Sequence, residues 1–236
     1  MDYLKPPITE CVVEFRFIEE VAFEVIQKRI DKFKRQYPNE THSIEFSGEF
    51  SEKGFVGKQD KVGLRLTSAD ELQIVIINKT GFVVSQLAPY PGWQAFGGRV
   101  MRDFELFTEL FGRKTISRIG LRYINRIDIP LESANVHDYL NVYPMLPKFG
   151  QTVGRSFALQ STHGLEDREL GVTLQSATID SPVPKAVSFV LDIDVFTTGE
   201  VPKRTDLIRD LLSTMRATKN DVFEASITQN SRDLFL

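Results

Sequence analysis

Three arginines stand four residues apart in the stretch Arg118 to Ile129, RIGLRYINRIDI. A guanidinium presents a planar fork that binds two oxygens of a carboxylate or phosphate at once. A row of them is matched by the chain's own carboxylates or directed at an anion from outside. Candidate carboxylates occur in two other stretches: Glu10 and Glu14, with Arg16, between Ile8 and Ile18, and Asp192 and Asp194 between Ala186 and Phe196. Two chemistries fit this set. Acidic and basic ladders on neighbouring strands pair across a sheet at roughly 0.2–1 kcal/mol per pair and need no ligand. The other is a site in which Arg118, Arg122 and Arg126 grip a small anionic ligand or a phosphate chain. Glu14, Asp192 and Asp194 would then offer oxygens to Mg²⁺ or Mn²⁺. The sequence assigns no metal ligand on its own terms and leaves any cofactor unknown.

Other chemistries have less to stand on. His42, His137 and His163 are far apart in the chain and none has a partner at metal-ligand spacing. The single cysteine, Cys11, excludes an internal disulfide and a multi-cysteine zinc site. There is no G-x-S-x-G and no P-loop.

Strands must carry the charges, because side chains alternate between strand faces. In the arginine stretch Ile119, Leu121, Tyr123, Ile127 and Ile129 share one face with Asn125, and the arginines share the other with Gly120 and Ile124. The first strand, Ile8 to Ile18, sets Cys11, Val13, Phe15 and Phe17 against Glu10, Glu14 and Arg16. The strand Ala186 to Phe196 sets Val187, Phe189, Leu191, Ile193 and Val195 against Ser188, Asp192 and Asp194. Each has an apolar face and a charged one.

Helical periodicity predicts one helix over Glu19–Tyr37, a second from Trp93 to Phe111 containing Gly97-Gly98, and a third from about Lys203. The third buries Leu207, Ile208, Leu211, Leu212 and Met215, and extends through Val222, Phe223 and Ile227. The basic run Lys28–Arg35 reads as a solvated helix face. Short strands are predicted at Ile44–Phe50, Lys61–Thr67, Leu72–Asn78 and Gly81–Leu87, then at Ser156–Ser161 and Glu169–Ala177 about a turn at Gly164–Asp167. Their tight connections indicate an antiparallel meander. Between the halves, Pro130–Gly150 is an irregular connector with a short helix at Val136–Leu140.

The 236 residues contain 18 Phe, enough for a large aromatic core, and the net charge of −3 gives no global basic field to draw in nucleic acid. Neither a signal peptide nor a membrane-length apolar run is present, which gives a cytoplasmic expectation. No heptad or exposed stripe supports a homodimer, and that assembly is left open.

Four pieces together resemble a sporadically distributed family of uncharacterised prokaryotic proteins of roughly 250 residues. They are KPPITECVVEFRF from Lys5, YPGWQAF from Tyr90, RIGLRYINRI from Arg118 and VFEASIT from Val222. The resemblance implies a bacterial or archaeal intracellular protein and no assigned activity. The strand order and charged face are also similar to the triphosphate tunnel enzymes, metal-dependent phosphohydrolases whose first strand carries Glu-x-Glu-x-Lys. Here Glu14-Phe15-Arg16 corresponds in part, Val12 stands in place of the first Glu, Asp192 and Asp194 match the late acidic pair, and Leu64-Arg65-Leu66 matches a basic strand.

The expectation is a single α+β domain over residues 1–236. A strongly curved, mostly antiparallel sheet, barrel-like in the limit and pseudo-duplicated, carries two to three long helices on its apolar face. Its function reads as non-enzymatic binding through the charged face, to a protein partner or a small anionic ligand. The alternative is a metal-dependent phosphohydrolase acting on a nucleotide or inorganic triphosphate.

Overall fold

β-Branched and aromatic residues alternate with polar ones over Ile8–Phe17, which forms strand β1. Cys11, Val13, Phe15 and Phe17 are buried and Arg16 is exposed, as a two-residue period requires. The computed structural model describes residues 3–51, 54–145 and 156–236, with side chains for all of these except 44–51 and 54–60.

The expected first helix is shorter and divided: α1 spans Phe23–Arg29 and α2 spans Asp31–Lys34. Residues before it are held out of helical form because Val21, itself buried, donates its N–H to Lys79 O at 2.7 Å. The apolar stripe nevertheless holds, with Ile26, Ile30, Phe33 and Tyr37 all buried. Strands β2 (Asn39–Ser51) and β3 (Gly54–Thr67) form one antiparallel hairpin longer than the predicted strands. The hairpins into β4 (Gln73–Asn78) and β5 (Gly81–Leu87) turn where expected. At the first of these turns Ser68 Oγ bonds Asp70 Oδ1 at 2.5 Å, and the same carboxylate oxygen accepts Leu72 N–H at 3.1 Å.

Helix α3 runs unbroken from Trp93 to Phe111. The Gly97 position explains the glycine pair in part: a Cβ there would lie 3.2 Å from the Trp93 ring, which packs across it. Strand β6 covers Ile116–Ile129. The short helix expected next is a 3₁₀ turn at Val136–Asp138, and the end of the connector at Gly150 lies outside the described residues. Strands β7 (Ala158–Leu165), β8 (Leu170–Ile179) and β9 (Val187–Thr197) follow. The predicted turn between the first two is a 3₁₀ turn at Glu166–Arg168 that starts after β7 has run one residue further than its glycine, Gly164. Helix α4 (Thr205–Ser226) and a short α5 (Gln229–Asp233) end the chain. Leu207, expected in the buried stripe of α4, is 43 % exposed; it falls in the first turn, ahead of the stripe that begins at Ile208.

The result is an α+β protein with a nine-stranded antiparallel sheet in the order β2-β3-β4-β5-β1-β6-β9-β8-β7. The order has two ends, so the sheet is not closed. Two long helices pack on sheet strands, α3 on β5 and α4 on β9. The chain divides into two compact units. The first comprises Met1–Cys11, Ala88–Tyr90 and Gly120–Leu236, and the second Val12–Leu87 and Pro91–Ile119. Strands β1 and β6 run through both. In the first unit α4 packs on β9, with Leu191 and Ile193 buried on the strand and Ile208, Leu212, Met215 and Phe223 buried on the helix. In the second, Phe15 stacks on Phe104 with ring centroids 4.3 Å apart and Phe17 on Phe107 at 5.0 Å. Most of the aromatic skew goes into such packing. Among the described residues no helix is long and apolar enough to cross a membrane.

Candidate functional site

Strand β6 divides its residues as the alternation predicts. In the first unit Leu121, Tyr123, Ile127 and Ile129 are buried, and Arg122 and Arg126 emerge on the opposite face. Asn125, the odd polar residue of the apolar face, is 1 % exposed and satisfied: its Nδ2 donates to Leu191 O at 2.9 Å.

Register sets the charge pairing. Arg122 lies opposite Asp194 and Ile124 opposite Asp192 on β9. The Arg122 fork takes the diagonal partner, its Nε and Nη2 donating to Asp192 Oδ1 and Oδ2 at 2.9 and 2.5 Å. Asp192 is nearly enclosed, with its side chain 6 % exposed, whereas the Arg122 side chain is 45 % exposed. The carboxylate is a buried clamp and the guanidinium its presented end. Hydrogen bonding to Asp192 raises the Arg122 pKa further, and the charges of Asp192, Asp194 and Glu10 add to it. Four residues on, Arg126 Nε bonds both oxygens of Asp128 at 3.1 Å, and Ser188 donates to Asp128 Oδ1 at 2.5 Å.

The remaining predicted residues belong to the second unit. One oxygen of Glu14 receives both Arg118 Nη1 at 2.9 Å and Arg16 Nε at 3.0 Å. Each arginine of the predicted row therefore has a carboxylate: Glu14 for Arg118, Asp192 for Arg122 and Asp128 for Arg126. Asp128 was not among the predicted site residues; its place two positions after Arg126 on the same strand face was the signal.

The divalent-cation arrangement implied by the tunnel-enzyme likeness does not fit these residues. Both oxygens of Asp192 are engaged by Arg122, and Glu14 is shared by two arginines. Among the described residues no three His, Cys, Asp or Glu side chains come together as a metal would require.

Two further polar clusters lie on buried faces and were not anticipated. In the second unit, Asp103 is 0 % exposed and accepts from Tyr37 Oη at 2.5 Å and Arg102 Nε at 3.0 Å. Arg99, 7 % exposed, donates to Tyr37 Oη at 3.2 Å and to Ser85 O at 2.7 Å. Burial, with the charge of Asp103, pushes the Tyr37 hydroxyl up to about 12. In the first unit, Lys219 of α4 is 7 % exposed and rests on the ring of Tyr123, whose hydroxyl lies 3.0 Å from that of Tyr90. Spacing was the available signal in both cases. Lys219 stands four residues from Met215 and from Phe223, in line with the buried stripe, and Arg99 and Asp103 flank Val100 and Phe104 on α3.

No protein-family model matches the chain, and no curated protein matches it.

Proposed function

We propose that the protein is a non-enzymatic binding module that uses the charged face of β6 and β9, with Arg122 as its anchor. The target is an anionic group carried by a protein partner or a small ligand. The observation that carries this reading is the asymmetry of the Arg122–Asp192 pair. A fork locked bidentately on an enclosed carboxylate, yet 45 % exposed itself, is ordered before anything binds. Little further side-chain entropy is lost on contact, and arginine is among the residues that anchor interfaces most often. The carboxylate beside each guanidinium also moderates the positive field, which suits a surface of mixed charge better than a bare polyphosphate.

The test is thermal unfolding of the full chain with poly-glutamate, tripolyphosphate, ATP and GTP, the last three with and without Mg²⁺ or Mn²⁺. A ligand at 100 times its Kd stabilises by about 2.7 kcal/mol, a rise in Tm of roughly 5–10 °C for a chain this size. Arg122→Ala alone would strand Asp192, so the informative variant is the double substitution Arg122→Met, Asp192→Asn, which removes anchor and clamp together. A rise seen in the native chain and lost in the double variant supports the reading. No rise with any of the compounds removes it for these anions, and release of phosphate would replace it with hydrolysis.

A further inference from the structure

Strand β7 ends the sheet of the first unit, and among the described residues no strand pairs with its outer side. Its sequence, ALQSTHGL, contains no Lys, Arg, Asp, Glu or Pro, and it pairs with β8 along its whole length without a register shift. Charges, prolines and bulges are the devices by which exposed edges avoid pairing. The other edge strand, β2, has Glu40, Glu45 and Glu49 in its sequence. Alternation fixes which backbone groups β7 offers. Thr178 N–H donates to Phe157 O at 3.0 Å, so that pair is hydrogen-bonded, and so is every second pair along β7. Ala158, Gln160, Thr162 and Gly164 fall between them. Their N–H and C=O groups point away from β8, and all four residues are exposed.

We propose that β7 pairs with the β7 of a second copy of this chain, antiparallel about a two-fold axis that passes through the sheet at Ser161. Centred there, Ala158 lies opposite Gly164 and Gln160 opposite Thr162, each twice by symmetry. All four outward residues then sit in hydrogen-bonded pairs, at two bonds to a pair. An axis one residue away in either direction leaves one of the four with no partner inside the strand. The side chains agree with the same register. Ser161 meets its own copy, His163 faces Leu159, and the Gln160 amide is set across from the Thr162 hydroxyl, so no like charges meet. The pairing also extends one face of the sheet. Thr162, Thr173, Asp194 and Arg122 form a row across β7, β8, β9 and β6. The two Arg122 side chains therefore come to share a face, roughly 30 Å apart at about 4.8 Å per strand. On the binding reading above this makes the dimer bivalent. The pairing itself does not rest on that reading.

The experiment is sedimentation of the full chain over a range of concentrations, with no anion added, followed by cross-linking. A species of twice the 26.9 kDa chain mass is expected. Gln160→Pro removes an outward N–H and leaves the bonds to β8 in place, so it should weaken the dimer by at least about tenfold with an unchanged circular dichroism spectrum. Cysteines then read the register, since the native Cys11 is buried. Ser161→Cys lies opposite itself at the axis and should oxidise to a disulfide-linked dimer. His163→Cys lies four residues out of step with its own copy, on the order of 13 Å away, and should not link. A chain that stays monomeric at every concentration would overturn the proposal and leave the edge to an extended segment of another protein. A dimer that keeps its strength in folded Gln160→Pro, or that links through His163→Cys as readily as through Ser161→Cys, would place the contact elsewhere and overturn it too. The native measurement and the cysteine pair decide the matter even where the proline variant fails to fold.

Discussion

Buried charge separates residues that look alike in the sequence. Asp103 and Asp192 are both acidic residues on amphipathic elements, and both end up 5 % exposed or less. Asp103 is held by Tyr37 and Arg102 with Arg99 behind them, a network in which removing one member leaves the others uncompensated. Asp103→Ala is therefore expected to cost about 3–5 kcal/mol, read as a lower urea midpoint with an unchanged slope. Asp103→Asn, which keeps the shape and part of the hydrogen bonding, should cost less. Equal losses would mean that the carboxylate charge is not what the network depends on. None of this was legible from periodicity, which marks the apolar stripe of α3 but says nothing about which polar neighbour the stripe encloses. The ladder of Arg118, Arg122 and Arg126 was legible, because a two-residue period fixes the face. Its pairing was not, since the choice of Asp192 over Asp194 depends on register between β6 and β9.

Elements were readable where their period was uninterrupted and their turns were local. Strands β4 and β5 and helix α3 are bounded within a residue or two of where the sequence places them, because Ser68–Glu71, Lys79-Thr80 and Gly112 punctuate them. The first helix was overextended because a distant hydrogen bond, Val21 to Lys79, holds its expected first turn in another conformation. A close approach between strands leaves another element-level mark. Phe196 of β9 faces Gly120 of β6 on one side and Gly171 of β8 on the other. A Cβ at Gly171 would lie 2.4 Å from the Phe196 ring, so the ring occupies the space that a side chain there would need. Gly171→Ala is expected to destabilise by about 1–3 kcal/mol through overpacking. In the Phe196→Leu background the same substitution should cost less, a coupling that a double-mutant cycle of urea midpoints measures. Additive effects would show that the ring does not set the glycine requirement.

For the molecule taken whole, the α+β class and antiparallel sheet followed from the alternating elements. The division into two units did not, because its boundaries fall inside β1, after Cys11, and inside β6, after Ile119, where no linker marks them. Global stability is where the buried lysine should register. Lys219 falls from 10.5 to about 8 on folding, so its burial penalty is at its full value below pH 8, where both states carry the proton. Between pH 8 and 10.5 the unfolded chain binds more protons than the folded one, and stability rises with pH across that window. Tyr3 and Tyr37 act in the opposite direction. Raised from 10.0 to about 12, they contribute stability that is lost as pH climbs above 10, so the clean interval ends near pH 9.5. From pH 8 to 9.5 the native chain is expected to gain roughly 1–2 kcal/mol relative to Lys219→Met. Near pH 7 the variant should be the more stable of the two, since methionine fills the same volume without the charge. Parallel stability profiles for the two proteins would mean that the lysine keeps its proton in the folded state, and would locate its stabilisation in the cation–aromatic contact with Tyr123 instead.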